Sequence, residues 1–217
     1  MTASKTPNLR TRIKFCGITR AEDAALAVSL GVDAIGFVLV PASPRNISAE
    51  AAFAIRRRLP PLVSAVALFR NAEPAFVREA IKTLKPDIAQ FHGDEDVAYC
   101  ESFGIPYFKA VAMADPQDLP KLAKTFASAS ALLLDGHDAK SMGGSGQTFD
   151  WSRVQPVDKP LILAGGLKPA NVADGIAQAR PYAVDVSSGI EASPGIKDFE
   201  KMRAFALAVR RADQEQK

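Results

Sequence analysis

The chain has 217 residues, 47% of them hydrophobic and 24% charged, with a formal net charge of +3. That apolar share fills one continuous core, and a small net charge spread over scattered basic residues argues against a nucleic-acid partner. Two distant cysteines do not make a disulfide framework, and no segment approaches the roughly 20 apolar residues that span a bilayer.

Residues 1–11 are polar, lack the apolar centre of a secretory signal, and read as a flexible tail ahead of one domain over 12–212. The expected setting is reducing and cytoplasmic. Residues 13–16 (Ile-Lys-Phe-Cys) read as a buried strand that opens through Gly17 into a helix over 21–30, which Gly31 stops. A strand over 33–39 follows. Ser48 caps a helix to Leu59, where Arg56-Arg57-Arg58 complements the helix dipole. Residues 62–69 form a strand, and Pro74 opens a helix to about Leu84. Strand 87–91, helix 97–103 with a packed Cys100 thiol, strand 107–111, helix 116–127 and strand 131–135 continue the alternation. Segment 136–148 has no periodic pattern and reads as a mobile loop. Its Gly143-Gly144-Ser145-Gly146 lacks the Lys-Ser/Thr of a P-loop and suits a lid better. A short helical turn over 149–154, strand 160–164, helix 169–177, strand 183–186 and helix 198–211 close the chain.

About eight strands alternating with helices, in units of roughly 25 residues, predict an α/β single-domain (β/α)₈ TIM barrel. The strands are short continuous apolar runs, as burial on both faces requires. A doubly wound open sheet is the structural rival.

In such a barrel the C-terminal strand ends meet at one mouth, so residues far apart in sequence converge there. Cys16 ends the first strand and is either a displayed thiol or a small buried residue. Asp135 ends an Ala-Leu-Leu-Leu run, and a carboxyl at the margin of an apolar interior is a candidate general acid as well as a candidate helix cap. Gly165-Gly166 and Ser187-Ser188-Gly189 follow the seventh and eighth strands, the usual phosphate position, and otherwise serve tight turns. Arg45 suits a carboxylate, or is an ordinary loop arginine. His92 is a proton relay or a hydrogen-bonded structural residue. His92 and Asp94 lack the companions of a metal site. An acid and a base facing each other across a sugar phosphate make an isomerase arrangement, with Cys16 and Asp135 on opposite sides.

Lys14-Phe15-Cys16-Gly17-Ile18-Thr19, Ser43-Pro44-Arg45, Gln90-Phe91-His92-Gly93-Asp94, Leu133-Leu134-Asp135, Gly143-Gly144-Ser145-Gly146 with Phe149-Asp150-Trp151, Leu163-Ala164-Gly165-Gly166-Leu167 and Val184-Asp185-Val186-Ser187-Ser188-Gly189-Ile190-Glu191 together resemble the phosphoribosylanthranilate isomerase family. The resemblance runs in order from about residue 12 to about residue 210. It implies an Amadori rearrangement of phosphoribosylanthranilate in tryptophan biosynthesis, with a small-molecule substrate, no cofactor, no metal and no obligate protein partner. By the same resemblance, Asp135 is the general acid and Cys16 the general base. Arg45 holds the anthranilate carboxylate, Asp185 lies near its amine, His92 lies in the substrate site, and the two glycine-containing loops bind phosphate. The related isomerase of histidine biosynthesis has aspartates at both catalytic positions, so Cys16 argues against it. The remaining alternatives are another sugar-phosphate isomerase and a non-catalytic phosphate-metabolite binder. Arg70 departs from the family pattern and receives no role.

Overall fold

The computed structural model describes residues 10–136 and 148–215. Eight parallel strands, β1 (Arg12–Cys16), β2 (Ala34–Val38), β3 (Ser64–Phe69), β4 (Ile88–Phe91), β5 (Tyr107–Ala112), β6 (Ala131–Asp135), β7 (Leu161–Leu163) and β8 (Ala183–Val186), close into a barrel in sequence order. Seven α-helices are present among the described residues: α1 (Ala21–Ser29), α2 (Ala49–Arg56), α3 (Pro74–Leu84), α4 (Val97–Glu101), α5 (Leu119–Thr125), α6 (Val172–Ala179) and α7 (Phe199–Glu215). The chain folds as the (β/α)₈ barrel that its alternation predicts. Between β6 and β7 the described residues hold only a 3₁₀ turn, Trp151–Arg153, in place of a helix. The expected mobile lid with Gly143-Gly144-Ser145-Gly146 lies largely in 137–147, outside the described residues.

Period-two alternation divides the strand residues into two sets. Ile13, Phe15, Ile35, Phe37, Phe69 and Phe91 face outward and form, with the helices, the main core. Ala110, Ala131, Leu133, Ile162, Ala164 and Ala183 form a separate small-residue cluster inside the barrel on the side of β5 to β8. Lys14 of β1, Gln90 of β4 and Asp185 of β8 are buried as well, so the interior holds charged and amide groups beside its apolar side chains.

Element boundaries that differ from expectation have local causes. The β3 strand starts at Ser64 because Leu62 takes a left-handed φ of 72°, which no strand residue adopts. The Asp118 side chain accepts from Lys121 N at 2.9 Å, so α5 begins at Leu119 and not near Pro116. Asn171 Oδ1 accepts from Lys168 N at 2.8 Å, holding a turn that delays α6 to Val172. At the other end of the chain, α7 runs past Arg211 because Asp213 accepts from Thr11 N and the Thr11 hydroxyl. Thr11 and Arg10, which pairs with Asp33, are thus joined to the barrel although they read as tail residues.

A two-stranded antiparallel hairpin after β8, β9 (Glu191–Ser193) with β10 (Ile196–Lys197), was not expected. Its signal was the Ser193-Pro194-Gly195 turn between two short extended runs. Lys197 N donates to Asp23 of α1, which docks the hairpin against the start of the barrel.

Candidate active site

The strand ends bring Cys16, Arg45, His92, Asp135, Gly165, Gly166, Asp185, Ser187 and Ser188 to one pocket at the C-terminal mouth. Gly189 is not in its lining. A Cβ there would stand 1.9 Å from the Leu167 carbonyl oxygen, so the missing side chain of Gly189 lets the loops after β7 and β8 touch. Ser188–Ile190 forms a single 3₁₀ turn after β8. Gly165 and Gly166 have φ of 77° and 63°, and the first lies against Gly136 N and the Asp135 carboxylate, so a side chain at 165 would displace the end of β6.

Cys16 and Asp135 end β1 and β6, separated around the barrel by β7 and β8. Asp135 is buried, and its Oδ2 lies 3.2 Å from His92 Nε2. Gln90 Nε2 lies 2.8 Å from His92 Nδ1. The Gln90 amide thus sits at one ring nitrogen of His92 and the Asp135 carboxyl near the other. His92 thereby joins the acid side of the mouth through Gln90, which sequence reasoning passed over. Period two places Gln90 and His92 on the same side of the chain, and that was its readable signal.

Arg45 Nε and Nη2 donate to Glu191 Oε1 and Oε2 at 2.8 and 2.7 Å, a two-pronged pair that commits one edge of the guanidinium to the protein. Nη1 takes no part in that pair. Glu191 also accepts from Lys197 Nζ at 2.8 Å, and Lys197 Nζ donates to Ser187 O at 3.1 Å. Burial pushes the Glu191 carboxyl up, but Arg45 and Lys197 pull it further down, to a net value below the ordinary range. Desolvation holds Lys197 below its usual value despite Glu191. Arg70, given no role from sequence, also lines the pocket.

On the base side, Lys14 Nζ donates to Asp185 Oδ1 at 2.9 Å, both side chains being buried. β1 and β8 place these residues directly opposite each other, and β1 and β2 set Cys16 opposite Gly36. A Cβ on Gly36 would stand 2.7 Å from Cys16 Sγ and 3.2 Å from Lys14 Cε, so the missing side chain makes room for the thiol and the lysine stem together. Burial pushes the Cys16 thiol up, with Lys14 and Lys197 pulling it back and Asp185 pushing it up again. The net direction is upward. Asp185 and the partnered Cys16 outweigh desolvation at Lys14, which is held charged.

A family model described as N-(5′-phosphoribosyl)anthranilate (PRA) isomerase matches residues 13–208. The chain is 50% identical over 202 residues to the N-(5′-phosphoribosyl)anthranilate isomerase of Nitrosococcus oceani, covering 93% of this chain and 98% of that protein. It is 49% identical over 207 residues to the enzyme of that name from Stenotrophomonas maltophilia, covering 94% and 95% of the two chains. Among solved structures, phosphoribosyl anthranilate isomerase from Thermus thermophilus superposes with a TM-score of 0.85 at 40% identity, over 93% of this chain and 99% of that one. A phosphoribosyl anthranilate isomerase in complex with reduced 1-(o-carboxyphenylamino)-1-deoxyribulose 5-phosphate superposes with a TM-score of 0.79 at 37% identity, with the same coverage. The chain belongs to the N-(5′-phosphoribosyl)anthranilate isomerase family.

Proposed function

We propose that this mouth isomerises N-(5′-phosphoribosyl)anthranilate to 1-(2-carboxyphenylamino)-1-deoxyribulose 5-phosphate, a step of tryptophan biosynthesis, with Asp135 as general acid and Cys16 as general base. The observation that carries the reading is the placement of a buried carboxyl and a buried thiol at the ends of β6 and β1, with the loops after β7 and β8 between them, in a chain of this family.

Backbone amides of the Gly165-Gly166 turn and of Ser187-Ser188 would take the phosphate, fixing the sugar between acid and base. Arg45, steadied by Glu191 through its other edge, would take the anthranilate carboxylate on its Nη1 side. Asp185 would lie near the anthranilate amine. Asp135 gives its proton to the furanose ring oxygen as the C1′–O bond breaks, and the nitrogen lone pair forms the Schiff base. His92, whose Nε2 lies 3.2 Å from Asp135 Oδ2, would orient that carboxyl. Cys16 then removes the C2′ proton, and the electrons of that C–H bond pass into an enolamine. Tautomerisation adds a proton at C1′ and removes the C2′ hydroxyl proton to give the ketone, so that with Cys16 giving up the proton it took and Asp135 regaining one, both groups end as they began.

Turnover of freshly generated phosphoribosylanthranilate, followed by loss of anthranilate-type fluorescence, tests the reading. The intact chain turns over, while Cys16→Ala and Asp135→Ala lose about 10²-fold or more with folding unchanged, the scale of a positioned acid or base. Full activity of Cys16→Ala would remove Cys16 from the mechanism. An intact, folded, inactive chain would favour a different sugar phosphate or a silent binding barrel.

A further inference from the structure

The base side of the mouth holds more charge than proton abstraction by a lone thiol needs. Cys16 is faced by Lys14 from its own strand, Asp185 from β8 and Lys197 from β10. Arg45 from the loop after β2 shares the pocket lining, as do Arg70, His92 and Asp135 from the ends of β3, β4 and β6. Lys197 is already tied to Glu191 and to Ser187. Lys14 is different. It stands two residues before Cys16 on the same face of β1, its Cε and the Cys16 sulfur both border the space that a Cβ on Gly36 would fill, and its ionic partner among the described residues is Asp185. A fully buried lysine serves no solubility purpose, and the register pairs it with Asp185 while period two puts it on the face of β1 that carries Cys16.

We propose that Lys14 is a positioning residue for proton abstraction: its ammonium, shared between the Asp185 carboxylate and Cys16, governs how much of Cys16 stands as thiolate, and Asp185 is the opposing weight. The inference rests on Cys16 as the base and adds what makes the thiol usable. The two neighbours act with opposite sign. A cation beside the sulfur favours the charged form and an anion beside it disfavours it, so removing one or the other moves the thiol in opposite directions. A lysine retained only to fill space or hold β1 to β8 would not produce that opposition.

The rate of Cys16 alkylation by iodoacetamide against pH, read by mass spectrometry on the Cys16 peptide, reports the thiolate directly without any turnover. Cys100 does not interfere, since it is packed behind the barrel and burial pushes its thiol up to about 12. The expected result for Lys14→Met is a midpoint about one pH unit or more higher, with about tenfold slower labelling at neutral pH. Asp185→Asn shifts the midpoint downward, Lys14→Arg stays near the parent, and the Lys14→Met/Asp185→Asn double variant falls between the single ones. An unchanged midpoint in Lys14→Met, or shifts of the same sign in Lys14→Met and Asp185→Asn, would overturn the proposal. Should Lys14→Met fail to fold, Asp185→Asn carries the test, and an unchanged or raised midpoint there overturns it. The turnover of Cys16→Ala separates the two levels. Retained activity in that variant removes the base assignment, whereas an inactive Cys16→Ala beside an unshifted Lys14→Met removes only the role of Lys14.

Discussion

Each side chain at the mouth is placed by a neighbour whose size or charge leaves it one position. Gly36 is the plainest case, because its missing Cβ is the space in which the Cys16 sulfur sits. Gly36→Ala is therefore expected to displace the thiol and lower kcat at least tenfold with the fold intact, which steady-state kinetics and circular dichroism check together. Lys14 and Asp185 answer each other inside the barrel. Removing one partner of such a pair leaves the other charge buried and costs about 3–5 kcal/mol, while removing both is much milder. Urea unfolding of Lys14→Met, Asp185→Asn and the double variant should show that non-additivity. The convergence of Cys16 and Asp135 on one mouth was legible because the C-terminal strand ends of a barrel meet there. Lys14 was not, since a lysine within a strand pattern reads as an outward or edge residue until the register sets it against Asp185. Arg45 read as suited to a carboxylate, and the carboxylate it meets here is Glu191, 146 positions away, a distance only the fold closes.

Among the elements, the hairpin of β9 and β10 does the most for the site, bringing Glu191 under Arg45 and Lys197 beside Ser187. Asp23 fastens it to α1, and Arg20 in turn fastens Asp23. Its pH behaviour follows from Glu191, whose carboxyl lies below the ordinary range in the folded chain. A depressed carboxylate stabilises the fold above its unfolded value of about 4.3, and that contribution fades as pH falls through the lower folded value. Denaturant titrations at neutral and acid pH should therefore show a steeper acid loss in the parent than in Glu191→Gln. Glu191→Gln should also raise KM more than it lowers kcat, because it loosens the arginine proposed to hold the carboxylate and leaves acid and base in place. The strands and most helices were readable from apolar runs, caps and glycine stops. Ser48 was read as a cap and accepts from Ala51 N at 3.2 Å. The hairpin escaped because strands of three and two residues carry too little pattern to register as elements.

At the scale of the whole molecule, the barrel does one thing that no local signal encodes. Closing β8 onto β1 brings the end of the chain beside its beginning, so a cysteine at position 16 and an aspartate at position 185 share one interior. Asp213 of α7 seals that closure from outside by binding Thr11 at the start of β1. The same closure leaves β7 and β8 between the proposed base and the proposed acid, so their loops occupy the middle of the mouth and the two groups its flanks. Alternation of strands and helices was enough to predict that architecture. The buried Lys14–Asp185 pair of the interior was not predictable from it, because which strand faces which depends on closure and register. The division of labour between the two flanks is the central claim. Its most direct test is turnover of phosphoribosylanthranilate carrying deuterium at C2′, compared in Cys16→Ser and Asp135→Asn. With Cys16 as the base, Cys16→Ser is limited by C2′ proton removal and shows a large primary isotope effect, while Asp135→Asn is limited by ring opening and shows none. An isotope effect confined to Asp135→Asn would contradict the assignment and exchange the two roles.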